Sequence, residues 1–264
     1  MFLEPSTSDY DLRFNFFGFP TRVTWTFWLA GAVLGWSWSQ SLDAVARIAG
    51  LDSPGPPALL LIWIGCVFVS ILIHELGHAL AFRQFGQRAY IVLYHFGGLA
   101  VNDSYTSWDG ARRSRTSPKE DLIISAAGPA AQLLLALIVG VIGYKLGMYS
   151  SWITQLLGLP PIRAGEMTSI TQLAFFDALV TTSVFWALIN LAPVLPMDGG
   201  NIMYNLMIMY GARDAWLLSR QVSIGVSIVM GLVFARLFGG TNGIMFFLFA
   251  AMNWQEIQQG RRGF

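Results

Sequence analysis

The chain has 264 residues, of which 55% are hydrophobic and only 12% charged, and its formal net charge is +1. A soluble domain carries about a quarter charged residues, so this composition excludes an ordinary soluble fold and predicts a polytopic membrane protein. The near-neutral charge by itself says nothing about nucleic acid, but no basic tract suited to it is visible, so no nucleic-acid partner is expected. The single cysteine, Cys66, excludes an intramolecular disulfide and a cysteine metal cluster.

The first 20 residues place Glu4, Asp9, Asp11 and Arg13 ahead of any apolar run, which is not the layout of a signal peptide. Long continuous apolar runs then follow, as helices rather than barrel strands require. A first segment over about 22–39 is rich in tryptophan and threonine, and a second covers about 58–83. The loop after it, 84–120, is the longest. Its opening part, "RAYIVLYHFGGLAVND" (88–103), has β-branched and aromatic residues around Gly97 and Gly98, which predicts a strand pair at the membrane surface. Further segments fall at about 121–147, 171–192, 217–237 and 243–257. "NIMYNLMIMY" (201–210), bracketed by Gly200 and Gly211, is too short to span and reads as a half-buried helix.

The expected fold is an all-α polytopic membrane protein of about six transmembrane helices, with a small β-hairpin-like insertion between helices two and three. Residues 1–57 form an N-terminal cytoplasmic segment and first helix, 58–212 a membrane core, and 213–264 the last helices and a short cytoplasmic tail. With the N-terminus inside and alternating segments, 12 of the 16 lysines and arginines fall on the cytoplasmic side and 4 on the other. The positive-inside bias therefore puts both termini in the cytoplasm.

The stretch "ILIHELGHAL" (71–80) sets His74, Glu75 and His78 inside the second apolar segment. Ionisable groups at that depth mark function by default. Positions i and i+4 share a helix face, so both imidazoles can reach one zinc ion, with Glu75 beside them as general base. The metal lowers the pKa of a water toward ~7, and the glutamate takes its proton as it attacks a carbonyl. The blander reading is a pair of hydrogen-bonded core histidines. Against it, the chain has three histidines and two of them flank a glutamate at this spacing.

A catalytic zinc needs a third protein ligand. Cys66 lies eight residues before His74, ~12 Å along a helix, too far to share the ion. His95 reads as a surface or strand histidine. Glu120 and Asp121 open the third segment, where carboxylates suit a helix N-terminus. Asp198 remains, in "NLAPVLPMDGG" (190–200), where Pro193 and Pro196 break the fourth helix. Taken alone, that stretch reads equally as an Asp-Gly turn at the membrane surface.

Together, "HELGH" (74–78) and "NLAPVLPMDGG" (190–200) resemble the site-2 protease family of intramembrane zinc metalloproteases. "SAAGPAAQ" (125–132) is similar to the family's glycine-proline helix start, and "FGG" (96–98) to its glycine-containing strand. The resemblance covers roughly residues 58–212. It implies zinc held by His74, His78 and Asp198, with Glu75 as catalytic base. It also implies that Asn190 orients substrate or stabilises the oxyanion. Three positions depart from the pattern: Met197 replaces a leucine, the prolines are spaced three apart, and Gln132 stands where asparagine is common.

The expected function is hydrolysis of peptide bonds in membrane-spanning protein substrates, in contact with the lipid bilayer and with zinc as cofactor. Gly97 and Gly98 would lie on the edge strand that receives unwound substrate. The competing reading is a non-catalytic zinc scaffold or a metal transporter. A transporter would carry ionisable groups along several segments, and the third, fifth and sixth have almost none within their apolar spans. A scaffold that had lost catalysis would not need Glu75. The compact form suggests a bacterial-type plasma membrane.

Overall fold

The computed structural model describes residues 4–95, 97–102, 116–146, 170–238 and 243–262. Phe96 of the "FGG" match, the basic residues Arg112, Arg113 and Arg115, and Arg163 lie outside the described residues. Within them the chain is mostly helical, with a small four-stranded sheet. In chain order come β1 (Leu12–Phe16), β2 (Phe19–Val23), α1 (Trp25–Ala49), α2 (Pro56–Gln84), β3 (Ala89–Tyr94), β4 (Gly97–Asn102), α3 (Pro118–Lys145), α4 (Ile170–Asn190), α5 (Asp198–Met209), α6 (Ala215–Phe238) and α7 (Ile244–Arg262).

Four of these helices, α2, α3, α4 and α6, are long and apolar enough to cross a membrane. The expected first and sixth spans do form helices, α1 and α7, but neither is among those four. α1 carries Asp43 and Arg47, and α7 carries Asn253 and Glu256, which lower their apolar content. The short piece after the proline break forms α5, as expected, but the helix begins at Asp198, so Gly200 lies inside it rather than bounding it.

Contacts divide the chain into two compact units, one of 2–111 with 130–187, the other of 112–129 with 188–264. The first holds the sheet, α1, α2 and most of α4. The strand pair expected at 88–103 is present as the antiparallel β3–β4 hairpin. A second hairpin, β1–β2, was not expected from the sequence. It turns at Phe17 and Gly18, both at positive φ (51° and 85°), the geometry that matches strand twist in a two-residue loop. β2 pairs with β3 in parallel, giving the order β1-β2-β3-β4 with β4 on an edge.

The C-terminal half of α2 packs against this sheet. Ile71, Leu72, Leu76 and Ala79 of α2 share a core with Val23, Ile91 and Leu93 of the strands and Phe27 of α1. Each fully buried Ile, Leu or Phe there contributes roughly 1.5–3 kcal/mol against exposure to water. That half of α2 is buried from Ser70 through Ala79 apart from Ile73, and it contains the whole histidine-glutamate-histidine motif. Arg22 of β2 binds Glu4 (2.7 Å) and Asp11 (3.0 Å), and Glu4 also accepts from the Tyr90 hydroxyl (2.6 Å), which straps the N-terminal segment onto the sheet.

In the second unit, α4 ends at Asn190 and the chain turns through 191–197 before α5 begins at Asp198. The turn is held from two sides. The Leu195 amide donates to Ser223 Oγ of α6 (2.9 Å), and Asn253 Nδ2 of α7 donates to the Leu195 carbonyl (2.7 Å). A side chain at Gly199 would run into the Leu191 and Ala192 carbonyls, and one at Gly200 into the backbone of Val194 and Leu195. Only glycines let the start of α5 lie that close to the turn. These contacts fix where Asp198 stands relative to the chain before it.

Candidate metal centre

His74 and His78 project from one face of α2, as their spacing predicts. Both are buried, and their Nε2 atoms converge to 3.1 Å with the rings edge to face. His74 Nδ1 points the other way, to Gln132 Oε1 of α3 at 3.0 Å. Gln132 Nε2 donates to Ser70 Oγ (2.7 Å) and to the Ser70 carbonyl (3.4 Å), one turn up α2. The Ser183 hydroxyl of α4 donates to Ser70 Oγ at 2.9 Å. The chain Ser183–Ser70–Gln132–His74 is wholly buried.

Asp198 is the first residue of α5. His74, His78 and Asp198 form a group that could hold a metal ion, each offering one ligand atom, all within 4.8 Å of one another. Two nitrogens and a carboxylate oxygen are a donor set zinc accepts. Nitrogens bound at ~2.0–2.1 Å to one tetrahedral zinc lie about 3.3 Å apart, close to the separation of the two imidazoles. The residues present therefore fit the ion. None of the other candidates, Cys66, His95, Glu120 and Asp121, belongs to this group. His95 is exposed and its Nδ1 meets Thr26 Oγ1 at 3.2 Å. The buried Cys66 thiol lies 3.6 Å from the Phe175 carbonyl.

Glu75 is 4% exposed and lies against β4. A side chain at Gly98 would collide with its Cγ, Cδ and Oε1. The glycine thus gives the carboxylate its room, a constraint the sequence did not disclose. Gly97 sits at φ +121°, and a side chain there would run into the Trp186 ring of α4, so it too has no space for one. Burial, and then the nearby Glu75 charge, push the Tyr94 phenol up to about 12. Asn190 is the last residue of α4, half-buried.

Sequence reading missed the Gln132–Ser70–Ser183 network. The available signal was the presence of hydrogen-bonding side chains in apolar helices, which face the protein interior and seek partners there.

The fold and site define a helical membrane protein with a buried histidine-glutamate-histidine helix and a carboxylate, Asp198, that can complete a metal set as its third member. The family model described as Peptidase family M50 matches residues 62–235, and the chain belongs to this family, the site-2 protease family. With its four apolar helices, this makes it an integral membrane protein. Among curated proteins it is 28% identical over 194 residues to "Putative zinc metalloprotease sll0528" of Synechocystis, covering 73% of this chain and 43% of that protein. It is 26% identical over 192 residues to "Putative zinc metalloprotease Rip3" of Mycobacterium tuberculosis, covering 70% of this chain and 40% of that protein. The chain thus spans less than half the length of these relatives. Among solved structures, the site-2 protease of Methanocaldococcus jannaschii aligns at 18% identity with a TM-score of 0.49, covering 92% of this chain and 95% of that one.

Proposed function

We propose that the chain is an intramembrane zinc metallopeptidase that cleaves membrane-spanning protein substrates. The carrying observation is the His74, His78 and Asp198 group with the buried Glu75 one residue from a ligand. In this reading those three side chains hold zinc. When bound, the ion supplies a Lewis acid that brings the pKa of a water toward ~7. Glu75 takes the proton released by the attacking water and passes it to the leaving amine. Asn190 orients the substrate or stabilises the developing oxyanion, as the family resemblance implies.

A transmembrane substrate hides its carbonyls in its own helical hydrogen bonds and must unwind to be cut. β4 suits an extended substrate segment because it is an edge strand. The register states which backbone groups it offers. Tyr94 pairs with Gly97 across the hairpin turn, so Gly98 and Ala100 fall at positions whose backbone points away from β3. The other side of the ladder agrees, since the carbonyl of Leu93, opposite Gly98, accepts from Thr24 beyond β2. Gly98 is also the residue that backs onto Glu75, so a strand added at this edge runs past the proposed base.

The test is co-expression with candidate single-span membrane proteins, comparing wild type with Glu75→Gln. The amide cannot accept the proton, so cleavage should cease while zinc is retained. Equal turnover of a verified substrate by both would remove Glu75 from the base role. The same reading places both termini in the cytoplasm of a bacterial-type plasma membrane, supported by the distribution of lysine and arginine. An Arg213→Cys, Cys66→Ala protein should resist an impermeant thiol reagent added outside intact cells. Ready labelling would invert the topology.

A further inference from the structure

We propose that Gln132 is a positioning residue for the metal site: it fixes the tautomer and ring orientation of His74. The inference rests on the zinc reading above and extends it to a residue on a different helix. A buried glutamine in an apolar helix can be simple interhelical glue, so the direction of its amide decides the matter. Gln132 is fully buried, and its NH2 group is committed to Ser70, with Oγ at 2.7 Å and the carbonyl at 3.4 Å. Ser70 is held in turn by Ser183 at 2.9 Å. A carbonyl cannot replace the NH2 there, because the Ser70 carbonyl only accepts. The amide oxygen therefore faces His74 Nδ1 at 3.0 Å, and an acceptor in that place requires a hydrogen on Nδ1.

A neutral imidazole with its hydrogen on Nδ1 carries its lone pair on Nε2. Nε2 is the atom that converges on His78. Gln132 thus selects the one neutral form of His74 able to donate electrons toward the ion, and holds the ring so that it does. Partners of this kind raise the affinity of a metal site by 10–100-fold, as a rough range. The Ser70 carbonyl, which stays in place in Ser70→Ala, keeps the amide from flipping, since a flip would set two acceptors against each other and present NH2 to Nδ1.

The experiment uses the purified full chain in detergent, with zinc affinity from chelator competition and the visible spectrum of the Co2+-substituted protein. Gln132→Met keeps the length of the side chain and removes both hydrogen-bonding functions. It should weaken zinc binding by roughly 10–100-fold and alter the Co2+ bands. Gln132→Glu keeps the acceptor for Nδ1 but loses the donors to Ser70, and should bind close to wild type or more tightly. Ser70→Ala removes the hydroxyl on the far side only and should stay close to wild type. Wild-type affinity and spectrum in Gln132→Met would overturn the proposal. So would a loss in Ser70→Ala or Gln132→Glu as large as that in Gln132→Met, which would assign the effect to packing between helices. His74→Ala is the separate control: full zinc retention there would overturn the zinc reading itself.

Discussion

Replacing Gly98 with alanine adds one methyl group at the point where β4 meets Glu75. An ideal Cβ there would overlap three atoms of the Glu75 side chain, Cγ, Cδ and Oε1. Glu75 is 4% exposed, so the carboxylate cannot swing out to solvent. Either the strand or the carboxylate must move. Overpacking of this kind costs about 1–3 kcal/mol. If the side chain gives way by about 1 Å, misplacement of a reacting group lowers turnover by ~10²-fold. The atoms such a Cβ meets all belong to Glu75 and not to the proposed ligands His74, His78 and Asp198, so zinc content should stay at the wild-type level. The assay is cleavage of a verified single-span substrate, with zinc per chain measured on the same preparation. Glu75→Asp supplies the second arm, because it withdraws one methylene from the collision. Its loss of activity and that of Gly98→Ala should be less than additive in the double variant. Wild-type turnover in Gly98→Ala, or strict additivity, would refute the idea that this glycine exists to seat the base.

Strand addition at β4 makes a positional prediction. Ala100→Pro removes a backbone donor that faces the free edge, so it should lower cleavage at least tenfold while membrane insertion and zinc content remain normal, measured on the same substrate. Leu99→Pro instead removes a donor directed at Val92 of β3 and should destabilise the hairpin itself, lowering the yield of folded protein. Unchanged cleavage by Ala100→Pro would leave the edge without a role in substrate binding.

The helical part of the fold was legible because apolar runs of membrane length have few other readings. The histidine pair was legible for a similar reason, since i, i+4 spacing survives in any helix. The β3–β4 hairpin could be seen in the β-prone residues around Gly97 and Gly98. β1–β2 was harder to see, because "LRFNF" and "FPTRV" are five residues each and their turn uses Phe17 at positive φ, which no composition rule favours. The boundaries of α1 were also hidden. It runs on to Ala49 through Asp43 and Arg47, which pair at 3.1 Å and so neutralise each other within the helix. At the site, sequence could nominate ligands and a base but not what supports them. The contact of Gly98 with Glu75, and of Gln132 with His74, joins residues far apart in the chain, and such pairings emerge only when helices and strands are packed.

The central claim is that His74, His78 and Asp198 are the zinc ligands, and Asp198 is the member that tests it most directly. Zinc per chain should be measured by elemental analysis on purified wild type, His74→Ala and Asp198→Asn after equilibration against metal-free buffer. The account predicts about one zinc in wild type. It predicts loss or marked weakening in both variants, since the asparagine amide is neutral and a poorer ligand than the carboxylate. Full retention of zinc by Asp198→Asn would contradict it and require another residue to complete the site.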